Sequence, residues 1–196
     1  MLSEDFGLAY VIDPRKNWAL AQQFLAEETD PRRRCCLETL IAHAKAEAKP
    51  DFDALMATVA TNAKYTSYAP GSGAENSPTG KQGVAAYYQG IVSTGCNQIE
   101  HAVERIAVGR DTITTEGDMK MAFPGAVLQG MGMQVPEPNG LYVYLNRLII
   151  VWEFDEEGLV LCEDSYSGGE FPAFEGIAER PVRIEEIYAW ADDPAS

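Results

Sequence analysis

The apolar residues of this chain change their period once, near residue 98. Before that point they recur every three or four positions, as on one face of a helix; after it they alternate, as on a strand. Few architectures accommodate helices first and antiparallel strands after them. The pattern predicts an α+β fold in which helices cover one face of a strongly curved antiparallel sheet. A single sheet wrapped over helices in this way forms a cone-shaped α+β barrel, and a cone is a natural pocket.

Local signals place the elements. Asp13-Pro14 and Asp30-Pro31 each set a capping acid before a proline, the chemistry of a helix start. They predict helices through NWALAQQFLAEE and RRRCCLETLIAHAKAEA, the second with an apolar stripe of Leu37, Leu40, Ile41 and Ala44. Lys49-Pro50 stops that helix, and Asp51 caps a third with Phe52, Leu55, Met56 and Val59 on its face. A short strand over 64–69 and a loop over 70–80 follow. A fourth helix then carries Val84, Tyr87, Tyr88 and Ile91. Strands are predicted at 98–108 and 112–123, with a Gly- and Met-rich loop at 124–140 and a long strand at 141–154. The tail from Gly168 allows a last helical turn near 184–190.

The hairpin RLIIVWEFDEEGLVLCEDSY, residues 147–166, poses the functional question. Its second arm sets Glu163, Asp164 and Ser165 where the first arm has Ile and Val. Either the sheet ends in solvent there, or polar groups are held at the mouth of an apolar cavity.

Composition removes several function classes. A formal net charge of −15 argues against nucleic acid, whose phosphates need a basic surface. No run approaches the ~18 apolar residues of a membrane span. The four cysteines, Cys35, Cys36, Cys96 and Cys162, lack C-x-x-C spacing, and scattered free thiols fit a reducing cytoplasm. Two histidines without HxH or HxxxH spacing predict no metal site, and Gly71-Ser72-Gly73 lacks the lysine of a phosphate loop. The expectation is a soluble, cytoplasmic, cofactor-free protein.

The stretches DFDALMATVATNAKYTSYAPGSG, TGKQGVAAYYQGIV, EHAVERIAVGRDTITTEGD and LIIVWEFDEEGLVLCEDSYSGG, in this order, resemble the nuclear transport factor 2-like superfamily, and within it the SnoaL-like proteins. The resemblance implies a SnoaL-like domain over 36–168, a helical extension over 1–35 and a tail over 169–196. Members include ketosteroid isomerase, limonene-epoxide hydrolase, scytalone dehydratase, polyketide cyclases, a lyase of lignin-derived diarylpropanes, and non-catalytic binders. Their shared chemistry is proton movement by a few polar side chains inside an apolar cone. Family analogy also implies a homodimer or homotrimer.

Strand alternation and the family's hairpin register assign the inner face. His101 falls inside with Ile99 and Val103, and Met119 with Gly117 and Met121, while Glu100, Glu104, Glu116 and Asp118 fall outside. Tyr144, Asn146, Leu148, Ile150 and Trp152 point inward, as do Leu161, Glu163 and Ser165. A single bulge would exchange Glu163 for Asp164. Arg147 is expected in an outward ion pair. Met131 and Met133 form either a lid or a subunit contact.

Measured against the family's known sites, the match is partial. Tyr65 and Ser67 stand at the hydrolase's Tyr and Asn positions, but Gly117, Met119 and Ser165 replace its Arg and two Asp residues. The isomerase's base position holds Ser67, its acidic donor position Ile150, and its tyrosine position lies near His43. The candidate catalytic set is therefore His101, Tyr65, Glu163, Asn146 and His43. Ser67, Tyr87, Tyr88, Met119, Tyr144, Trp152 and Ser165 are expected to line the substrate site. A histidine titrates near pH 6.5, and burial would raise Glu163 into the same range. The leading expectation is a cofactor-independent lyase or dehydratase for a hydrophobic aromatic molecule, with a lignin-derived diaryl compound as one concrete case. The alternatives are an epoxide hydrolase or polyketide cyclase, and a non-catalytic binding or assembly module.

Overall fold

A computed structural model describes residues 11–69, 72–168 and 183–187. Helices α1 (Lys16–Glu27), α2 (Pro31–Ala48) and α3 (Phe52–Ala57) precede strand β1 (Val59–Ser67). Helix α4 (Gly80–Ser93) leads into β2 (Ile99–Val108) and β3 (Thr112–Pro124); a short helix, α5 (Gly125–Gly130), leads into β4 (Leu141–Phe154) and β5 (Val160–Ser167). The five strands form one open sheet in the order β1-β5-β4-β3-β2.

The sheet is mixed, not antiparallel throughout. β1 runs parallel to β5, with Tyr65 opposite Glu163 and Ser67 opposite Ser165. The remaining neighbours are antiparallel. Chain order made hairpins legible, but a parallel pair joins segments that no turn connects. Two boundaries also differ from expectation. Val59 is not the end of the α3 face but the start of β1, which begins five residues before 64. The loop at 124–140 contains a helical turn, α5. Residues 184–186 form a 3-10 turn, and the expected helix beyond 187 lies outside the described residues.

Caps follow the sequence signals in part. Asp30 accepts hydrogen bonds from the amides of Arg32 and Arg33, each at 3.0 Å, and Asp51 accepts from Ala54. Asp13 does not cap α1; it binds the amide and guanidinium of Arg15, which occupies the cap position. Asp30→Ala is expected to lower stability by about 1 kcal/mol, read as a lower urea midpoint at unchanged slope. An unchanged midpoint would remove the cap from this account.

The β4–β5 hairpin turns at Gly158, whose φ is +83° and whose Cβ, if present, would sit 2.4 Å from Cys35 Sγ. Only glycine meets both conditions. This turn sets the register that carries Trp152 opposite Glu163 and Ile150 opposite Ser165. The main core joins α2, α3 and α4 to the sheet through Leu37, Leu40, Leu55, Val84, Ile150 and Trp152. A second cluster packs Phe123, Leu128, Tyr142 and Tyr144 around α5.

On the other face Arg147 binds Glu104, Glu116 and Asp118, the outward ion-pair role expected of it. Glu100 is outward yet almost wholly buried. It accepts the amide of Asp13 and pairs with Lys16 and Lys120, tying the start of α1 to β2.

Candidate active site

The sheet's inner face, α4 and the segment 72–76 enclose a cavity of about 520 Å³. β1 contributes Tyr65 and Ser67; α4, Tyr87 and Ile91; β3, Met119 and Met121; β4, Tyr144, Asn146 and Leu148; and β5, Glu163, Ser165 and Ser167. The lining is mainly apolar, with a few polar groups converging on it, the usual makeup of a small-molecule site.

Of the two carboxyls in the lining, Glu75 is exposed and Glu163 is set into the wall. Burial, reinforced by the nearby carboxyl of Glu47, pushes its pKa up to about 8, against a lowering contribution from the Tyr88 hydroxyl. At neutral pH it is a carboxylic acid able to donate a proton. Tyr65 stands opposite it on the neighbouring strand. Its hydroxyl is buried and makes no hydrogen bond of good geometry with any described residue. Burial followed by Glu163 holds its pKa well above the phenol range, against a lowering contribution from the nearby Tyr88 hydroxyl. Such a donor facing a cavity is completed by an oxygen on whatever binds there. Asn146 donates to the Tyr144 hydroxyl at 2.8 Å and to Ser167 Oγ.

A hydrogen-bonded chain runs from Glu163 into the core. Thr58 donates to the Leu55 carbonyl at 2.6 Å, so its oxygen is left to accept from His43 Nδ1, at 2.7 Å. His43 is fully buried, which pushes its pKa down to about 3, and a neutral ring with Nδ1 protonated has Nε2 as an acceptor. Nε2 lies 2.9 Å from the Tyr88 hydroxyl, which in turn lies 3.2 Å from Glu163 Oε2. Tyr88 has one proton. If it goes to His43, the contact with Glu163 needs the carboxyl's own proton. If Glu163 ionises, Tyr88 turns to it and His43 loses its donor. The chain is thus complete only when Glu163 is protonated; the carboxylate, when it forms, draws the Tyr88 proton to itself, which is the lowering contribution that burial outweighs.

Several expected site residues lie elsewhere. His101 is buried on the inner face but does not line the cavity, because β2 is the edge strand and the row His101–Met119–Asn146 sets Met119 between it and the wall. Burial lowers its pKa to about 4, opposed by the Leu148 carbonyl, and its Nε2 has no hydrogen-bond partner among the described residues. His43, Tyr88 and Trp152 do not line this cavity either. They form its backing, with Trp152 5.5 Å from the His43 ring and donating to Thr115 at 3.1 Å. Asp164 falls on the sheet's other side, opposite Val151, and is absent from the lining.

Sequence reasoning missed Thr58 and Glu47. Burial raises the pKa of Glu47 to about 7. A signal existed: Glu47 continues the α2 stripe at Leu40 and Ala44, and it sits one turn beyond His43. A carboxyl on an apolar stripe invites a functional reading.

Among the described residues no cluster of three or more His, Cys, Asp or Glu could hold a metal. No described helix is long and apolar enough to cross a membrane.

The architecture has many solved counterparts. A protein from Shewanella putrefaciens CN-32 described as a SnoaL-like polyketide cyclase aligns with a TM-score of 0.56 at 11% identity, over 82% of this chain and 92% of its own. One from Shewanella denitrificans OS-217, described likewise, gives 0.55 at 12%, over 70% and 91%. A protein of ketosteroid isomerase-like fold from Catenulispora acidiphila DSM 44928 gives 0.53 at 14%, over 78% and 96%. At such identities the likeness concerns the cone-shaped α+β fold alone. No curated protein matches the sequence. The model of the SnoaL-like domain, however, matches residues 40–161, and by that match the chain belongs to the SnoaL-like family.

Proposed function

We propose that the protein is a cofactor-independent acid–base enzyme, a lyase or dehydratase acting on a hydrophobic aromatic small molecule. One observation carries this reading: a carboxyl, Glu163, whose pKa burial raises, opposite a phenol, Tyr65, that lacks a well-formed hydrogen bond, both on the wall of an apolar cavity. Tyr65 donates to a substrate oxygen that gains charge. Glu163 protonates the leaving hydroxyl, the C–O bond breaks, and water departs with the electron pair. The carboxylate then takes a proton from the adjacent carbon as the double bond forms, and so returns to its starting state. Tyr87 and Tyr144 offer aromatic faces, while Ser67, Asn146 and Ser165 offer polar contacts. Of the two proton-transfer candidates read from sequence, His101 and Glu163, only Glu163 is among the residues lining the cavity, and the role goes to it. A lignin-derived diaryl alcohol is one substrate of the right chemistry. A homodimer or homotrimer in the cytoplasm belongs to the same reading, with exposed Leu145, Ile149 and Tyr166 on the sheet's outer side as the contact.

The test is a panel of aryl β-hydroxy carbonyl compounds and diaryl diols, followed by mass spectrometry for loss of water. Tyr65→Phe is expected to reduce turnover by about 10²-fold, as loss of one oxyanion donor does elsewhere. Wild-type rates in both Tyr65→Phe and Glu163→Gln would overturn the proposal.

A further inference from the structure

Behind the wall made by Tyr88 lies a second cavity, of about 340 Å³. α2 ends on it with Glu47, α3 contributes Phe52 and Leu55, and α4 contributes Ile91 and Val92. The walls are almost wholly apolar, and the volume suits a small ligand, since such sites run from roughly 300 to 1,000 Å³. Glu47 is the lone carboxyl among the lining residues, and no lysine, arginine or histidine lines the cavity. Its carboxyl makes no hydrogen bond or ion pair with any described residue. A carboxyl set in an apolar wall without a donor is an incomplete arrangement.

The surroundings decide what would complete it. The titratable groups close enough to interact with Glu47 are Glu163 on β5, Tyr65 on β1, and Tyr87 and Tyr88 on α4; His43, on its own helix, is held neutral behind Tyr88. None of these supplies positive charge, and the chain as a whole carries −15. We propose that this second cavity is a binding site for a small hydrophobic amine, with its ammonium on the Glu47 carboxylate and its hydrocarbon against Phe52, Leu55 and Val92. An alcohol of the same length would fill the space but leave the charge unmatched. A carboxylate of the same length would be repelled.

Isothermal titration at pH 8 with n-hexylammonium, 1-hexanol and hexanoate tests this without knowledge of any substrate. Hexylammonium is expected to bind the wild-type chain about tenfold or more tightly than hexanol, the size of one charge-assisted hydrogen bond in an apolar setting, with no hexanoate binding. Glu47→Gln should lose that advantage, and Val92→Trp, at a half-exposed position on the rim, should block all ligands. Glu163→Gln should keep it, because Glu163 does not line this cavity and its loss leaves the Glu47 carboxylate in place, changing only the field felt there. Equal binding of amine and alcohol by the wild type, or no binding of either, overturns the proposal. So does amine binding that survives Glu47→Gln but is lost in Glu163→Gln. The wild-type comparison decides the matter even if a variant fails to fold.

Discussion

Glu163→Gln will remove turnover, by about 10³-fold for loss of the proton-transfer group, and will make the folded chain more stable near neutral pH. The second half follows from the sign of the shift. The carboxyl has a pKa near 4.5 when unfolded and about 8 when folded, so the folded state holds a proton that the unfolded state releases. Its contribution to stability is fully present below pH 4.5 and is lost as pH rises through 8. At pH 7 the wild type already bears most of that cost, which glutamine, carrying no charge, avoids. The gain is on the order of 2 kcal/mol, discounted from the full shift because the carboxyl faces an open cavity. Turnover that needs the acid form should also fall as pH passes about 8. Urea titrations at pH 5 and pH 8 provide the check. Wild-type stability should decline between them relative to the variant, and parallel behaviour would show that Glu163 is not held protonated. A residue that weakens the fold where it serves the chemistry is an expected sign of a functional site.

How far the sequence revealed the site depends on which interactions were local. The turn over 155–158, laid on the family's equivalent turn, pointed Glu163 and Ser165 inward and left Asp164 as the rival if a bulge intervened. Glu163 and Ser165 line the cavity and Asp164 does not, because a hairpin's register follows from its turn. Asp30 and Asp51 were legible as caps for the same reason. His101 shows where alternation stops being informative. It identifies a face correctly but not a strand's place in the sheet, and at an edge the inward side chain need not reach the cavity. The parallel pairing that brings Tyr65 beside Glu163 joins residues about a hundred positions apart, with no turn to announce it. Gly117 is a further case. Comparison with the hydrolase treated it as a lost arginine, but a Cβ there would meet the Ala102 carbonyl at 2.0 Å. A bulge in β2 between Val103 and Arg105 has closed onto the position. With the backbone this close, position 117 has no room for a side chain.

His43→Ala will cost about 3–5 kcal/mol of stability above neutral pH, the range for emptying a buried site and stranding its hydrogen-bond partners. The ring is fully buried, packs edge-on against Tyr88 and Trp152, and serves Thr58 and the Tyr88 hydroxyl at once. The loss should depend on pH in a way that plain cavity formation does not. His43 titrates near 6.5 when unfolded and near 3 when folded, so below 6.5 the unfolded chain takes up a proton that the folded chain refuses. Its contribution is therefore whole above pH 6.5 and shrinks by about 1.4 kcal/mol per unit as pH falls toward 3. The deficit of His43→Ala against the wild type should narrow by the same amount between pH 6.5 and 5. His101, depressed to about 4, adds an acid dependence of the same sign that persists in the variant, so the comparison isolates position 43. Urea midpoints at pH 5, 6 and 7 read the difference directly. A deficit that stayed constant across that range would mean that the imidazole accepts a proton in place, and that the chain from Thr58 to Glu163 does not hold it neutral.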